Sequence, residues 1–265
     1  MKLKRRDKLP KPYYETKLGK LYHGDCLDII PLIKTNSIHL TITSPPYNMR
    51  TRINNNKYSE REQKPHLSKK YEHFHDAHSI EKYYDFHKQA IQQMLRISKT
   101  VFWNISIVTG SKEAVFKLIG NFSQNIKDIF IWDKGFGEPA IHEAVANRSY
   151  EFIIIFENNG IGRQFSNSNF KRGKMQDIWR LKKTKRFNKK NRAGFPELLP
   201  KIIIENWESN VVMDPFLGLG TTAVVCEYLN RRWIGIEIAK EYCDIAVKRI
   251  EQAVGRKKQK GMLFK

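Results

Sequence analysis

Apolar and polar residues alternate from Ile38 to Thr43, the period of a half-buried strand, after an apolar pair at Leu21 and Tyr22 and a helix-like stretch from Leu27 to Ile33. Periodicity then disappears between residues 49 and 80, where Asn54, Asn55 and Asn56 stand among many charges, and this predicts a long mobile loop. An amphipathic helix pattern returns from Tyr84 to Ile97, followed by strand-like Val101–Ile107, Ile126–Trp132 and Tyr150–Phe156. Pattern is lost again over residues 157–193. From Phe195 a helix is predicted to Trp207, then a strand at Asn210–Met213, a glycine turn, a helix to Leu229, a strand at Trp233–Ile238 and a last helix to Val254. Strands alternating with helices predict an α/β protein with a mostly parallel, doubly wound sheet. There is no internal repeat.

Composition adds a partner to this picture. Lys and Arg number 48 against 27 Asp and Glu, a formal charge of +21, and so large an excess repels itself unless a polyanion lies against the surface. Nucleic acid leads that list, although ribosome association or an anionic membrane surface fits charge alone. The excess is concentrated between residues 157 and 193, which carry Arg163, Lys171, Arg172, Lys182, Lys183, Lys185 and Arg186 among others and read as an insertion facing the polyanion. The cysteines Cys26, Cys226 and Cys243 are far apart and form no C-x-x-C pair, which argues against a disulfide framework or zinc knuckle and for a reducing, cytoplasmic setting. No apolar run approaches the length of a membrane span, and Met1–Lys11 has no signal-like core.

Candidate chemistry sits at the ends of the predicted strands. Met213-Asp214-Pro215-Phe216-Leu217-Gly218-Leu219-Gly220-Thr221-Thr222 follows one strand and opens a helix, the context in which glycines let a ligand approach the backbone. Glu237 ends the next strand, where a carboxylate can accept from both hydroxyls of a ribose. Together they point to an adenosine-containing cofactor, while a glycine turn alone serves tight strand-to-helix packing equally well. No Gly-Lys-Ser/Thr follows, which excludes a P-loop. Thr43-Ser44-Pro45-Pro46-Tyr47-Asn48 ends another strand. A base amino group is a poor nucleophile because its lone pair is delocalised into the ring. Acceptors such as Ser44 Oγ and the Pro45 carbonyl would draw its hydrogens aside and aim the lone pair. Pro45 and Pro46 stiffen the turn and remove competing N–H donors, and Tyr47 offers a face on which an extruded base can stack. A rigid turn with a packing tyrosine is the plainer alternative.

These segments resemble the amino-methyltransferases of bacterial DNA. S-P-P-Y looks like the family's catalytic tetrapeptide, and D-P-F-x-G-x-G-T-T like its cofactor turn. Their order, catalytic before cofactor with a basic insertion between, resembles the circularly permuted beta group. The resemblance covers about residues 20–48 and 81–255. It implies a Rossmann-like methyltransferase fold and S-adenosyl-L-methionine as cofactor. Asp25, Cys26, Phe195, Asp214, Pro215, Phe216, Gly218, Gly220, Thr221, Thr222 and Glu237 would line the cofactor site. Asp25, in Tyr22-His23-Gly24-Asp25-Cys26-Leu27, would meet the adenine. Phe195, in Ala193-Gly194-Phe195-Pro196, would lie beside the methionine moiety, after Asn191 and Arg192 where the family carries histidine and proline. The implied organisation is a basic tail (1–19), a catalytic half (20–156) with its loop (49–80), a DNA-recognition insertion (157–193), a cofactor half (194–255) and a second basic tail (256–265).

The partner implied is double-stranded DNA, contacted by Arg50, Arg52, Lys182, Lys183, Lys185 and Arg186. A companion restriction endonuclease would act separately, and monomer and dimer are both open. In the family, Ser at the first motif position goes mainly with cytosine N4 methylation, which Ser44 favours. Asn48 stands against it, since a P-P-Y-N ending goes with many adenine enzymes of the beta group. An RNA or protein amino-methyltransferase and a silent DNA-binding protein are the alternatives. His73, His75 and His78 invite a metal reading but lack acidic or cysteine partners at ligand spacing, so no metal is expected. The aromatics of Phe102-Trp103-Asn104 and Trp132-Asp133-Lys134-Gly135 read as core.

Overall fold

The computed structural model describes residues 8–48, 51–54, 57–60, 78–137, 143–182 and 194–263, the backbone alone for 51–60 and 257–263. In chain order the elements are β1 (Tyr14–Glu15), β2 (Gly19–His23), α1 (Cys26–Ile29), β3 (Ile38–Thr43), β4 (Thr51–Asn54), β5 (Lys57–Glu60), α2 (Ile80–Ile97), β6 (Ser98–Ile105), α3 (Lys112–Asn121), β7 (Ile126–Asp133), β8 (Tyr150–Glu157), β9 (Ile178–Arg180), α4 (Leu198–Asn206), β10 (Val211–Asp214), α5 (Thr221–Tyr228), β11 (Arg232–Glu237) and α6 (Lys240–Leu263).

Among the described residues, nine strands form the main sheet in the order β1-β2-β11-β10-β3-β6-β8-β7-β9. From β2 to β6 every pairing is parallel. Both faces of the sheet are covered there, so in β3 Thr41 and Thr43 are buried as fully as Ile38, Leu40 and Ile42, where the alternation alone predicts a half-buried strand. In β6, Phe102 packs on one face against α4 and α5 residues such as Ile203, Ile204 and Ala223. Val101, Trp103 and Ile105 pack on the other against Tyr83, Ile91 and Met94 of α2 and Val115 and Leu118 of α3. Trp103 and Trp132 are buried, as the aromatic pattern led one to expect. The helix α2 starts at Ser79, whose side chain accepts from Lys82 N, and buries Ile80, Tyr83, His87, Ala90, Ile91 and Met94 at helical spacing.

The α/β class and mostly parallel sheet agree with the sequence, and four features go beyond it. β8 runs antiparallel between β6 and β7, so its first residues lie at the edge where β6 and β7 end. The stretch expected as an insertion is described as far as Lys182, and it builds part of the body. Phe165, Phe170 and Met175 pack on the core, Trp179 and Leu181 are buried in it, and β9 pairs in parallel with β7. Within residues 49–80, β4 and β5 form an antiparallel pair separate from the main sheet. The backbone of α6 continues to Leu263, past the expected end at Val254.

β3 and β10 are neighbours in the sheet, and from them the chain runs outward in opposite directions, from β3 to β6 on one side and from β10 to β11 on the other. The crevice above such a reversal, at the carboxyl ends of the strands, is where open α/β sheets bind ligands. Both candidate turns emerge there.

Candidate active site

The two turns are tied together at their roots. Thr43 Oγ1, the last residue of β3, donates to Asp214 Oδ1 at 2.7 Å, and Thr222 Oγ1 in α5 donates to Asp214 Oδ2 at 2.7 Å. Phe216 N also donates to Oδ1, at 3.1 Å. Asp214 is thus a buried strut between the Ser44 turn and the glycine turn. Burial pushes its carboxyl up from the ordinary 3.8 to about 6, with Thr222, Thr43 and the Phe216 N–H pulling the other way. A carboxyl that is harder to ionise in the folded protein favours folding at low pH. The contribution is complete below about pH 4 and is lost as pH rises through about 6. Asp214→Asn removes this dependence. Between pH 5 and pH 7 the unmodified protein should therefore lose about 1 kcal/mol more stability than the variant. Urea unfolding at both pH values checks it, and equal losses would refute it.

Glu237, at the end of β11, accepts from Gly218 N at 2.7 Å through Oε2 and from Ala239 N at 2.8 Å through Oε1. It is 8% exposed, and burial raises its pKa. Each oxygen keeps a lone pair beyond the N–H it holds, which suits a vicinal diol. Gly218 and Gly220 both have positive φ, 54° and 80°, and a Cβ on Gly220 would lie 2.9 Å from that of Ala246 in α6. The second glycine is therefore required for helix packing, while at Gly218 an added Cβ would meet only the Phe216 carbonyl, at 3.9 Å. Thr221 begins α5 and its hydroxyl is held by Arg249 at 3.2 Å. Beside this cradle, Gly24 N donates to the Glu237 carbonyl, and half-buried Asp25 caps α1 by accepting from Leu27 N at 2.8 Å. Cys26 is buried with its thiol pKa raised by burial, Pro215 is buried, Phe216 is half-buried against the ring of Phe86, and Phe195 is buried just before α4.

On the other side of the strut lies a polar network. Ser44 Oγ and Tyr47 Oη are 2.6 Å apart, and Tyr47 Oη donates to Glu151 Oε2 at 2.9 Å. Asn104 Nδ2 reaches Tyr47 Oη and Glu151 Oε2, both at 2.8 Å, and Lys134 Nζ pairs with Glu151 Oε1 at 3.3 Å. Asn104, Lys134 and Glu151 are each less than 10% exposed. They come from the end of β6, the residue after β7 and the second residue of β8, which the antiparallel placement of β8 brings to one edge. Sequence reading did not find them. The available signal was a polar residue following buried aromatics at the end of a strand. Pro45 is buried, and the Pro46 carbonyl accepts from Tyr83 Oη at 2.8 Å, which fixes the turn to α2.

Asn48 closes this turn in the left-handed conformation, φ 58°, and is fully buried. Its amide donates to the carbonyls of His78 and Gly110 and accepts from His78 N at 2.8 Å. Its side chain therefore clamps the two ends of the excursion that begins at residue 49. Of the residues expected to contact DNA, Lys182 is exposed, and Arg52 lies on β4 with its side chain outside the described residues. Arg50, Lys183, Lys185 and Arg186 lie outside the described residues, as do His73 and His75. Among the described residues no His, Cys, Asp and Glu cluster is suited to a metal, and no helix is long and apolar enough to cross a membrane.

Residues 38–248 match the family model of the N6/N4 methyltransferases, described as DNA methylase. Among curated relatives, the type II methyltransferase M.BglII of Bacillus subtilis is 25% identical over 277 residues, covering 90% of this chain and 70% of the relative. The type II methyltransferase M2.LlaDCHI of Lactococcus lactis subsp. cremoris is 28% identical, covering 92% and 93%. Among solved structures, the PvuII DNA methyltransferase (cytosine-N4-specific) superposes with a TM-score of 0.68 at 18% identity, over 93% of this chain and 94% of that one. M1.HpyAVI in complex with S-adenosylmethionine gives 0.56 at 19% identity, over 88% and 100%. With the match spanning both turns and the strut between them, the chain belongs to the N6/N4 DNA methylase family.

Proposed function

We propose that this protein moves the methyl group of S-adenosylmethionine to the N4 amino group of a cytosine extruded from duplex DNA, as the modification enzyme of a restriction-modification system whose endonuclease is a separate chain. The reading is carried by the meeting of the Ser44 turn and the Gly218–Glu237 cradle at one strand-order reversal, tied through Thr43 and Asp214. S-adenosylmethionine is the family's methyl donor, and it supplies a methyl already activated by its sulfonium charge.

In this reading Glu237 accepts from the ribose hydroxyls and Asp25 from the adenine, and Phe195 and Phe216 border the rest of the donor. Cys26, Pro215, Gly220, Thr221 and Thr222 shape the cradle. Ser44 Oγ and the Pro45 carbonyl accept the two hydrogens of the target amino group, turning its lone pair toward the methyl carbon. The ring of Tyr47 stacks on the extruded base. Lys182, Lys183, Lys185 and Arg186, with Arg50 and Arg52, hold mainly phosphates. Residues 49–80 cover the base, and the basic residues of 157–193 carry sequence recognition.

Two observations support cytosine. Ser44 occupies the first motif position, and the PvuII enzyme that shares the fold is itself described as cytosine-N4-specific. The contrary signal, Asn48, has an independent explanation here. Its left-handed backbone and its three hydrogen bonds to the backbone of His78 and Gly110 account for an asparagine whatever the base. Methylating mixed-sequence duplex DNA and separating its nucleosides is expected to yield N4-methylcytosine. N6-methyladenine alone would move the target to adenine with the transfer chemistry intact, and methyl found only on RNA or protein would overturn the reading.

A further inference from the structure

The network behind Ser44 has a direction. Tyr47 Oη owns one proton and lies within hydrogen-bond distance of Ser44 Oγ, Glu151 Oε2 and Asn104 Nδ2. The asparagine nitrogen can only donate. If the amide were reversed, Asn104 Oδ1 would face the Glu151 carboxylate, so its orientation is fixed by that oxygen. Glu151, held by Lys134 from the other side, can only accept. Tyr47 therefore gives its proton to Glu151, and its lone pairs take hydrogens from Asn104 and Ser44. The single proton of Ser44 is thereby committed inward at 2.6 Å; one of its lone pairs faces the more distant Asn104 Nδ2, at 3.4 Å, and the other is left for the substrate.

We propose that Glu151, anchored by Lys134, acts through the Tyr47 hydroxyl to hold Ser44 Oγ as an acceptor toward the target amino group, as a positioning residue for methyl transfer. This rests on the reading of Ser44 as that acceptor. A serine hydroxyl left to itself is both donor and acceptor, and half of its options would present a proton to an amino group that must lose its own hydrogens to acceptors. The buried carboxylate removes that ambiguity before the substrate arrives, as preorganisation requires. It also assigns the Tyr47 hydroxyl a part distinct from ring stacking.

Glu151→Gln tests the direction of the chain. Lys134 claims the new side-chain oxygen, so the glutamine nitrogen faces Tyr47 and donates. Reversing Asn104 to take the Tyr47 proton would bury its two N–H groups where its oxygen now has no partner, so the proton turns toward Ser44, and the serine presents its own proton to the substrate. Single-turnover methyl transfer to a duplex carrying the target, at saturating S-adenosylmethionine, is expected to slow on the order of 10²-fold. Affinity for S-adenosylhomocysteine and the KM for DNA should stay within about twofold, because the change acts on the reacting group alone. Tyr47→Phe cuts the same chain, so the Glu151→Gln/Tyr47→Phe double variant should match Tyr47→Phe within about threefold and not show the product of the two losses.

Glu151→Gln at the unmodified rate, or losses that multiply, would overturn the inference. If the glutamine variant does not fold because Lys134 has lost its counter-charge, Glu151→Asp supplies the same cycle. It keeps that charge and withdraws the oxygen from Tyr47, and the same coupling is expected. Ser44→Ala separates the two levels. An inactive alanine variant beside a fully active Glu151→Gln removes this inference only, whereas a fully active Ser44→Ala removes the acceptor reading beneath it.

Discussion

Ser44→Ala should lower the rate of methyl transfer by at least about 10²-fold while leaving donor binding nearly unchanged. The reason is where the residue sits. Ser44 is at the carboxyl end of β3, joined by its neighbour Thr43 to Asp214 and thus to the glycine turn, yet its own hydroxyl touches only the Tyr47–Asn104 side of the site. On the proposed reading, losing it takes away one acceptor for the amino hydrogens and leaves the Glu237 cradle as it was. The structural cost is small, since Tyr47 keeps Glu151 and Asn104 as partners, and one lost hydrogen bond at a half-buried site is worth about 1 kcal/mol. Single-turnover kinetics with calorimetry of S-adenosylhomocysteine separates the two effects. A loss of donor affinity equal to the loss of rate would show that the serine holds the cradle and not the substrate.

Glu237→Ala should do the reverse and more. Both of its oxygens are engaged by backbone N–H groups, of Gly218 and Ala239, so alanine withdraws acceptors from two donors and, on the proposed reading, from the ribose hydroxyls as well. Each donor left without a partner costs about 1–3 kcal/mol if it stays dry, and the Gly218 turn then loses the contact that shapes it. Affinity for S-adenosylhomocysteine is expected to fall by at least about 10²-fold, corresponding to two strong hydrogen bonds to a charged acceptor, with thermal stability lowered as well. Glu237→Gln keeps one acceptor and should fall between. DNA binding measured without donor should change little, because the residue lies at the β11 end of the site, away from the Ser44 turn. An alanine variant with full donor affinity would place the ribose elsewhere.

What the sequence made legible was local. The Ser44 turn and the Asp214–Thr222 turn are contiguous runs in which each residue type has its own reason, and Glu237 follows from the end of the next strand. The Asn104, Lys134 and Glu151 cluster was not legible, because its members are single residues on three strands and meet only through the antiparallel insertion of β8. A two-residue period says which face a side chain takes but not which strand will lie beside it. Over residues 157–182 the charge excess masked the fold, and Phe165, Phe170, Met175, Trp179 and Leu181 are core residues dispersed among lysines and arginines. Asn48 was legible as a residue but not in its role, since the partners that explain it, His78 and Gly110, lie far along the chain.

That last contact bears on how such a protein can vary what lies over its site. With Asn48 joined to His78, the chain that leaves the catalytic turn returns to nearly the same point before α2 begins. A segment pinned at both ends transmits little of its own length to what lies beneath it, and doubling the length of a closed flexible loop adds only about 0.6 kcal/mol of closure entropy. Segments of different length and sequence can therefore be exchanged between Asn48 and His78 while the serine, the tyrosine and their buried carboxylate keep their places. On the proposed reading, what covers the extruded base becomes open to exchange, and the chemistry is inherited unaltered.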